Sequence, residues 1–222
     1  IGSTTSGGLT KNGAGKLIIA GVNAQTGNTT INEGTVQLSG SGRLSATSRP
    51  TIIRQGAILD LNGLSSGVAI AALDGSGTIR NTSATAATLI VGNITSGAGT
   101  FSGLIEDFTG VLNVTKTGTS GSPTWSGANT YTGVTTIGVS GITTTGLVNI
   151  PILANYGTAS GIGKGIQTVV NDANNAASLV FGGTSAAGIN YTGLTSVSVD
   201  CLFTMNSSVA GAGAQIANAS AN

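Results

Sequence analysis

A block of sequence that occurs twice constrains this chain more than any other feature. Leu9-Thr-Lys-Asn-Gly-Ala-Gly-Lys16 runs on into Ala20-Gly-Val-Asn-Ala-Gln-Thr-Gly-Asn-Thr-Thr-Ile31. It returns as Val114-Thr-Lys-Thr-Gly118, followed by Ser126-Gly-Ala-Asn-Thr-Tyr-Thr-Gly-Val-Thr-Thr-Ile137. Thr10, Lys11, Gly13, Gly21, Asn23, Thr26, Gly27, Thr29, Thr30 and Ile31 all find identical partners, with about one residue inserted between the two halves of the block. Shared composition does not produce such a match. A unit too short to bury its own apolar face must stack on its neighbours, so the duplication points to a repeat architecture. The boundary between copies falls near Gly110, dividing the chain into a first multi-coil unit, 1–110, and a second, diverged one, 111–222, within one continuous solenoid.

A shorter rhythm runs inside each unit. Gly34-Thr-Val-Gln-Leu38 returns as Gly56-Ala-Ile-Leu-Asp-Leu61 roughly 22 residues on, and again as Gly77-Thr-Ile-Arg80. Helical stripes are missing, because Gly or β-branched residues interrupt every window. Short strands are expected at 16–20, 35–38, 51–54, 57–61, 68–73, 88–91, 111–115, 135–139, 147–152, 178–181 and 196–199, most of them between Gly, Asn and Ser clusters. The fold expected is therefore all-β: a right-handed parallel β-helix, or β-solenoid, with roughly 20-residue coils. Val36 and Leu38, and Ile58 and Leu61 around a bulge, are expected to point inward. Gly and Asn suit the corners, and Asn and Thr inside the coils are expected to stack in ladders. About ten coils would make a rod roughly 50 Å long.

Composition narrows the functional classes. Of 222 residues 37 are Gly, only 7% are charged, and the net charge is +1. No stretch approaches the roughly 18 uninterrupted apolar residues of a membrane-spanning helix, and disorder calls for higher net charge and fewer β-branched residues. The surface is polar through Ser, Thr and Asn, as in exported β proteins. The 8 basic residues are dispersed, with Arg43, Arg49 and Arg54 the one loose group, which argues against nucleic acid. The chain starts at Ile1 without Met or a basic-then-apolar leader, so it is expected to be processed or, preferably, a piece of something longer.

Residues 8–38 resemble the autotransporter-associated β-strand repeat, through Gly8, Leu9, Lys11, Gly13, Gly15, Leu17, Ile19, Gly21, Asn23, Gly27, Thr29, Ile31, Gly34 and Val36. Gln25 stands where that family usually has Tyr; the second copy supplies the Tyr as Tyr131 but replaces the Gly-x-Leu-x-Leu stretch with Ser122-Pro-Thr-Trp125. The resemblance implies a β-helical passenger region of a large secreted or outer-membrane-anchored bacterial protein, frequently an adhesin. Catalytic residues are not part of the repeat.

Few residues offer chemistry. With no His, the Ser-His-Asp and Cys-His arrangements and the HExxH zinc site are excluded. Cys201 is alone and lies in Val199-Asp-Cys-Leu-Phe203, which reads as a strand with a core thiol. The acidic residues are Glu33, Asp60, Asp74, Glu106, Asp107, Asp172 and Asp200. Glycoside cleavage needs two carboxyl groups about 5–9.5 Å apart; Asp60 and Asp74 would face one another on neighbouring coils near Arg80, whereas Glu106 and Asp107 would point to opposite faces of a strand. Gly161-Ile-Gly-Lys-Gly165 and Gly211-Ala-Gly-Ala214 read as turns, and the Asn-x-Ser/Thr triplets at Asn28, Asn81, Asn93 and Asn113 as products of composition. Trp125, Tyr131, Tyr156 and Tyr191 would present rings to sugars or, in the preferred reading, cap corners. Thr29-Thr30 and Thr143-Thr-Thr145 suggest a flat ice-binding array, which would need Thr-x-Thr in coil after coil.

No catalytic, cofactor-binding or metal-binding residues are expected, and no cofactor. The expected role is structural or adhesive, in a secreted or cell-surface bacterial β-helical protein associated with the outer membrane, with assembly into a fibre. The alternatives are a polysaccharide-cleaving β-helix enzyme or an ice-binding solenoid. Expected partners are further copies or neighbouring segments of the same protein, meeting end to end, and glycans or cell surfaces, with no nucleic acid and no membrane insertion by this segment.

Overall fold

The computed structural model describes residues 7–44, 49–92, 99–118, 121–139, 146–166, 178–183, 187–206 and 213–219, and every regular element among them is a strand. The strands pair in parallel and stack into three sheets of a β-solenoid, with one isolated antiparallel bridge between Asn129 and Ser160. The first sheet has nine strands: β1 (Leu9–Lys11), β3 (Thr29–Ile31), β5 (Pro50–Ile53), β8 (Ala72–Gly75), β11 (Thr100–Phe101), β14 (Thr124–Trp125), β16 (Leu147–Ile150), β18 (Ala187–Tyr191) and β20 (Ala214–Asn218). The second contains β2 (Lys16–Ile19), β4 (Thr35–Leu38), β6 (Ile58–Asp60), β9 (Thr78–Asn81) and β12 (Leu104–Phe108). The third contains β7 (Val68–Ile70), β10 (Ala87–Val91), β13 (Leu112–Lys116), β15 (Thr135–Ile137), β17 (Leu179–Gly182) and β19 (Thr204–Asn206).

The early coils thus use the first and second sheets, the middle coils all three, and the later coils the first and third. The coil step in the first sheet is 20 residues from Leu9 to Thr29, 22 from Thr29 to Thr51, 26 from Gly75 to Phe101 and 41 from Leu147 to Gly188. The roughly 20-residue coil gives way to longer ones along the chain. Nine strands at about 4.8 Å span about 38 Å, shorter than the rod expected from ten coils.

Alternation places one side of each strand inside, and identical register positions build columns. Leu17, Val36, Leu59, Ile79 and Ile105 form one such column in the second sheet. In the third, Ile70, Val91, Lys116, Ile137 and Phe181 form another. Most of these side chains have no exposed surface, which is the main favourable term for a chain with so thin a core. The inward pair here is Leu59, on β6, with Leu61 just beyond it, not Ile58 with Leu61: Ile58 stands opposite Thr35 and is only half-buried. The extra residue enters at the Arg54–Ala57 turn, before the strand begins.

Other expected elements also differ. The run 68–73 is two strands, β7 and β8, in different sheets, with the chain turning at the buried Ala71. Residues 196–199 form no strand, and Ser196, Val197 and Ser198 are exposed. The stretch 199–203 is likewise irregular, and the strand there is β19. Asn pairs join neighbouring coils on the outside, not inside the coils where ladders are expected: Asn190 Nδ2 donates to Asn149 Oδ1 at 2.9 Å, and Asn32 Nδ2 to Asn12 Oδ1 at 2.7 Å. Corners rely on left-handed backbone. Gly34 has φ +67°, and a Cβ there would lie 2.4 Å from Gly15 O, so no other residue fits.

Candidate functional site

The duplicated block forms the same local structure twice. In the first copy Leu9, Thr10 and Lys11 pair with Thr29, Thr30 and Ile31; in the second Val114, Thr115 and Lys116 pair with Thr135, Thr136 and Ile137. The two copies nevertheless lie in different sheets, the first in the nine-stranded sheet and the second in the six-stranded one. A shared polar contact stiffens both corners. Gln25 Nε2 donates to Thr29 Oγ1 at 2.8 Å, and the Tyr131 hydroxyl bonds Thr135 Oγ1 at 2.7 Å. Thr135 Oγ1 itself donates to Ile162 O at 2.8 Å, so Tyr131 is the donor to Thr135. Gln25 therefore does the work of the Tyr it replaces.

The two lysines of the block differ. Lys11 is partly exposed, and its ammonium collects the carbonyls of Asn12, at 2.9 Å, Gly13 and, one coil on, Glu33, at 3.2 Å. Lys116 has no exposed surface, and burial lowers its pKa to about 8. Nothing in the sequence separates them, because exposure depends on whether another coil follows on both sides.

The carboxylates do not converge. Asp60 lies in the second sheet and Asp74 in the first, so they do not face one another. Asp60 is buried with both oxygens occupied: Oδ2 accepts from Gln37 Nε2 and Thr82 Oγ1, each at 2.6 Å, and Oδ1 from the amides of Asn62 and Thr82 at 3.0 and 3.1 Å. Asp107 makes a similar clasp two coils later, accepting from Thr132 N at 3.0 Å, Thr132 Oγ1 at 2.6 Å and Leu112 N at 2.8 Å. Asp74 accepts from Thr100 N at 2.9 Å. These carboxylates tie coil to coil, with Thr as the partner that supplies two donors. Among the described residues no three of His, Cys, Asp and Glu come together as a metal site. Asp172 lies outside the described residues.

The aromatic residues are mostly interior. Trp125 and Tyr131 are in the core, Trp125 on strand β14 rather than at a corner. Tyr156 is buried, with its hydroxyl donating to Leu202 O at 2.9 Å, while half-buried Tyr191 donates to Thr195 O at 2.7 Å. The 161–165 turn packs beneath these rings: a Cβ on Gly163, which has φ +77°, would come within 2.6 Å of the Tyr131 ring. Cys201 is half-buried against the core, and its thiol donates to Ala154 O at 3.3 Å. Burial, followed by the charge of Asp200, pushes that thiol up to about 12.

Thr29 faces the interior, and the outward Thr30 is followed one coil on by Ile52, so no Thr array forms there. Asn81 is buried, donating to the carbonyls of Thr85 and Val111. Arg43 bonds Gly42 O and Ser66 Oγ, at a corner away from exposed Arg49 and Arg54. Residues 143–145, Asn93 and 207–212 lie outside the described residues. Among the large exposed apolar side chains is Phe108, stacked under Arg80 with 4.6 Å between guanidinium carbon and ring centroid.

At the amino-terminal end, Leu9, Leu17, Ile18, Ile19 and Val22 line an open apolar cavity of about 330 Å³. At the other end Phe203, Met205 and Ile216 are exposed, Phe203 edge-on to Phe181 at 5.3 Å. No helix of the described residues is long and apolar enough to cross a membrane.

Stacked parallel coils, inward apolar columns and clasped corners define a β-solenoid. Residues 9–38 match the passenger-associated-transport-repeat family. Over 159 residues, 71% of this chain, the sequence is 34% identical to the adhesin BmaC autotransporter of Brucella suis biovar 1 (strain 1330). The aligned stretch is only 4% of that protein's length. No solved structure matches.

Proposed function

We propose that this chain is a length of the passenger of a bacterial autotransporter adhesin, secreted or held at the cell surface and associated with the outer membrane, with an adhesive and structural rather than catalytic role. The observation that carries this reading is the 34% identity to an autotransporter adhesin over 159 residues, in a chain whose coils stack as a solenoid. A charge-poor flank of Thr, Asn and Ser is suited to contacts with glycans and cell surfaces. The enzymatic alternative finds no support in the carboxylates, since Asp60 and Asp107 each have both oxygens engaged in coil-to-coil hydrogen bonds. The apolar side chains exposed at the two ends of the described stack suit contact with neighbouring coils of the same protein or with another copy.

Beads coated with the purified chain should adhere to cultured epithelial cells well above albumin-coated beads. Equal retention would remove the adhesive role. Electron microscopy of the same material should show rods or fibres with an axial repeat near 4.8 Å.

A further inference from the structure

The outer face of the second sheet carries a feature that neither the repeat nor the core requires. Coil register sets Gln37, Asp60, Arg80 and Glu106 one above another. Asp60 is fully occupied by protein donors, but Arg80 is not. Among the described residues Arg80 finds no acceptor, and its Nε is shielded without a hydrogen-bond partner. Glu106, its neighbour on β12, likewise finds no donor among them. Phe108 lies under the guanidinium and still keeps 65% of its surface exposed.

That exposure is built into the backbone. The ladder between β9 and β12 slips at Asp107, so that Phe108 and not Asp107 stands opposite Asn81. Asp107 is held at the slip by Leu112 and Thr132, and Phe108 takes φ 114°, in the region that disfavours any side chain. A bulge of this kind re-aims a side chain, and here it turns a large apolar ring to solvent. A ring turned inward would serve stability better, so the conformation points to something that meets the ring from outside.

We propose that Phe108, Arg80 and Glu106 form a binding site for a neutral hexose residue of a polysaccharide. This deepens, and rests on, the adhesive reading. One cation and one carboxylate sit on neighbouring strands, so their charges cancel, and a charged ligand would meet repulsion from one of them. A pair of sugar hydroxyls suits both, accepting from the guanidinium and donating to the carboxylate. The C–H face of the same sugar covers the ring face that Arg80 leaves open. Arg80 and Glu106 are half-buried and open on their outer side, so a direct pair between them would not close the site.

The test is saturation-transfer NMR of the full chain with cellohexaose, maltohexaose and mannohexaose, with oligogalacturonate as the acidic comparator. Transfer to at least one neutral hexaose is expected, reduced at least tenfold in Phe108→Gly and in Arg80→Gln. Phe108→Gly should unfold at the same temperature as the parent or higher, since Gly accepts positive φ, which separates lost binding from lost folding. Transfer to the acidic oligosaccharide alone, to none, or equally in both variants and parent would overturn the site. Bead adhesion decides the broader reading independently: adhesion without hexaose binding removes this site and keeps the adhesin, and hexaose binding without adhesion does the reverse.

Discussion

Lys116 sits in the middle of an inner column, between Val91 and Ile137, with no exposed surface. Burial disfavours its charged form and lowers its pKa from 10.5 to about 8. The unfolded chain therefore holds this proton up to about pH 10.5 and the folded chain only to about pH 8. Folding releases it in between, so the contribution of Lys116 to stability rises from pH 8 to pH 10.5 and is flat below pH 8. At about 1.4 kcal/mol per pH unit, the gain is about 3 kcal/mol at most. Tyr131, Tyr156 and Cys201 run the other way. Burial raises each of them, so the fold keeps protons that the unfolded chain loses above about pH 9 to 10. A difference experiment isolates the lysine: urea denaturation of the parent and Lys116→Met at pH 7 and pH 10 should show the parent gaining on the variant at the higher pH. A gap independent of pH would mean that the amine is not desolvated in the fold. The second residue-scale expectation concerns Cys201. With its thiol pushed up to about 12, it should react with a disulfide reagent at pH 8 at least tenfold more slowly in the native protein than in denaturant. A fast native reaction would place the thiol in an exposed, ionisable setting.

The duplicated coil is where packing and hydrogen bonding meet at the scale of an element. Tyr131 closes its corner by donating to Thr135, as Gln25 does to Thr29. Tyr131→Phe keeps the buried ring and removes one donor, so it should cost about 1 kcal/mol, whereas Tyr131→Ala should cost about 3–5 kcal/mol by emptying the core. Denaturation midpoints of the two variants check the ratio; similar losses would mean that the hydroxyl, not the ring, holds the corner. This coil was legible in the sequence because identity at spaced positions reports a shared register directly. The strands that were legible, such as β4 and β10, are runs of β-branched and apolar residues between turn residues. Those that were missed have weaker patterns. Strand β18 contains Gly188, where a Cβ would lie 1.8 Å from Gln215 O, so close strand approach and not propensity dictates the residue. The split of 68–73 was hidden because Ala71 turns the chain without Gly, Pro or Asn. The outward turn of Phe108 was equally hidden: it depends on a one-residue register slip against β9, which only the neighbouring coil defines.

Across the whole molecule, stability should be graded along the axis. Inner coils are sandwiched on both sides, whereas β1 and β20 each lie at an edge of the first sheet, and β19 at an edge of the third. Repeat stacks of this type owe their stability to nearest-neighbour interfaces, so an end coil has half the support. Native-state hydrogen exchange should find the amides of β5, β8 and β10 protected most, and those of β1, β19 and β20 exchanging at least a hundredfold faster. Uniform protection would indicate that other material caps the ends. The two copies of the repeated block have a further geometric consequence, because one lies in the first sheet and the other in the third. Their outward residues, Thr10 and Thr30 in one and Thr115 and Thr136 in the other, are carried to different bearings around the axis. Duplication here does not lengthen a single stripe; it distributes the same chemical texture around the circumference, so that a surface approaching the rod from more than one side meets the same motif.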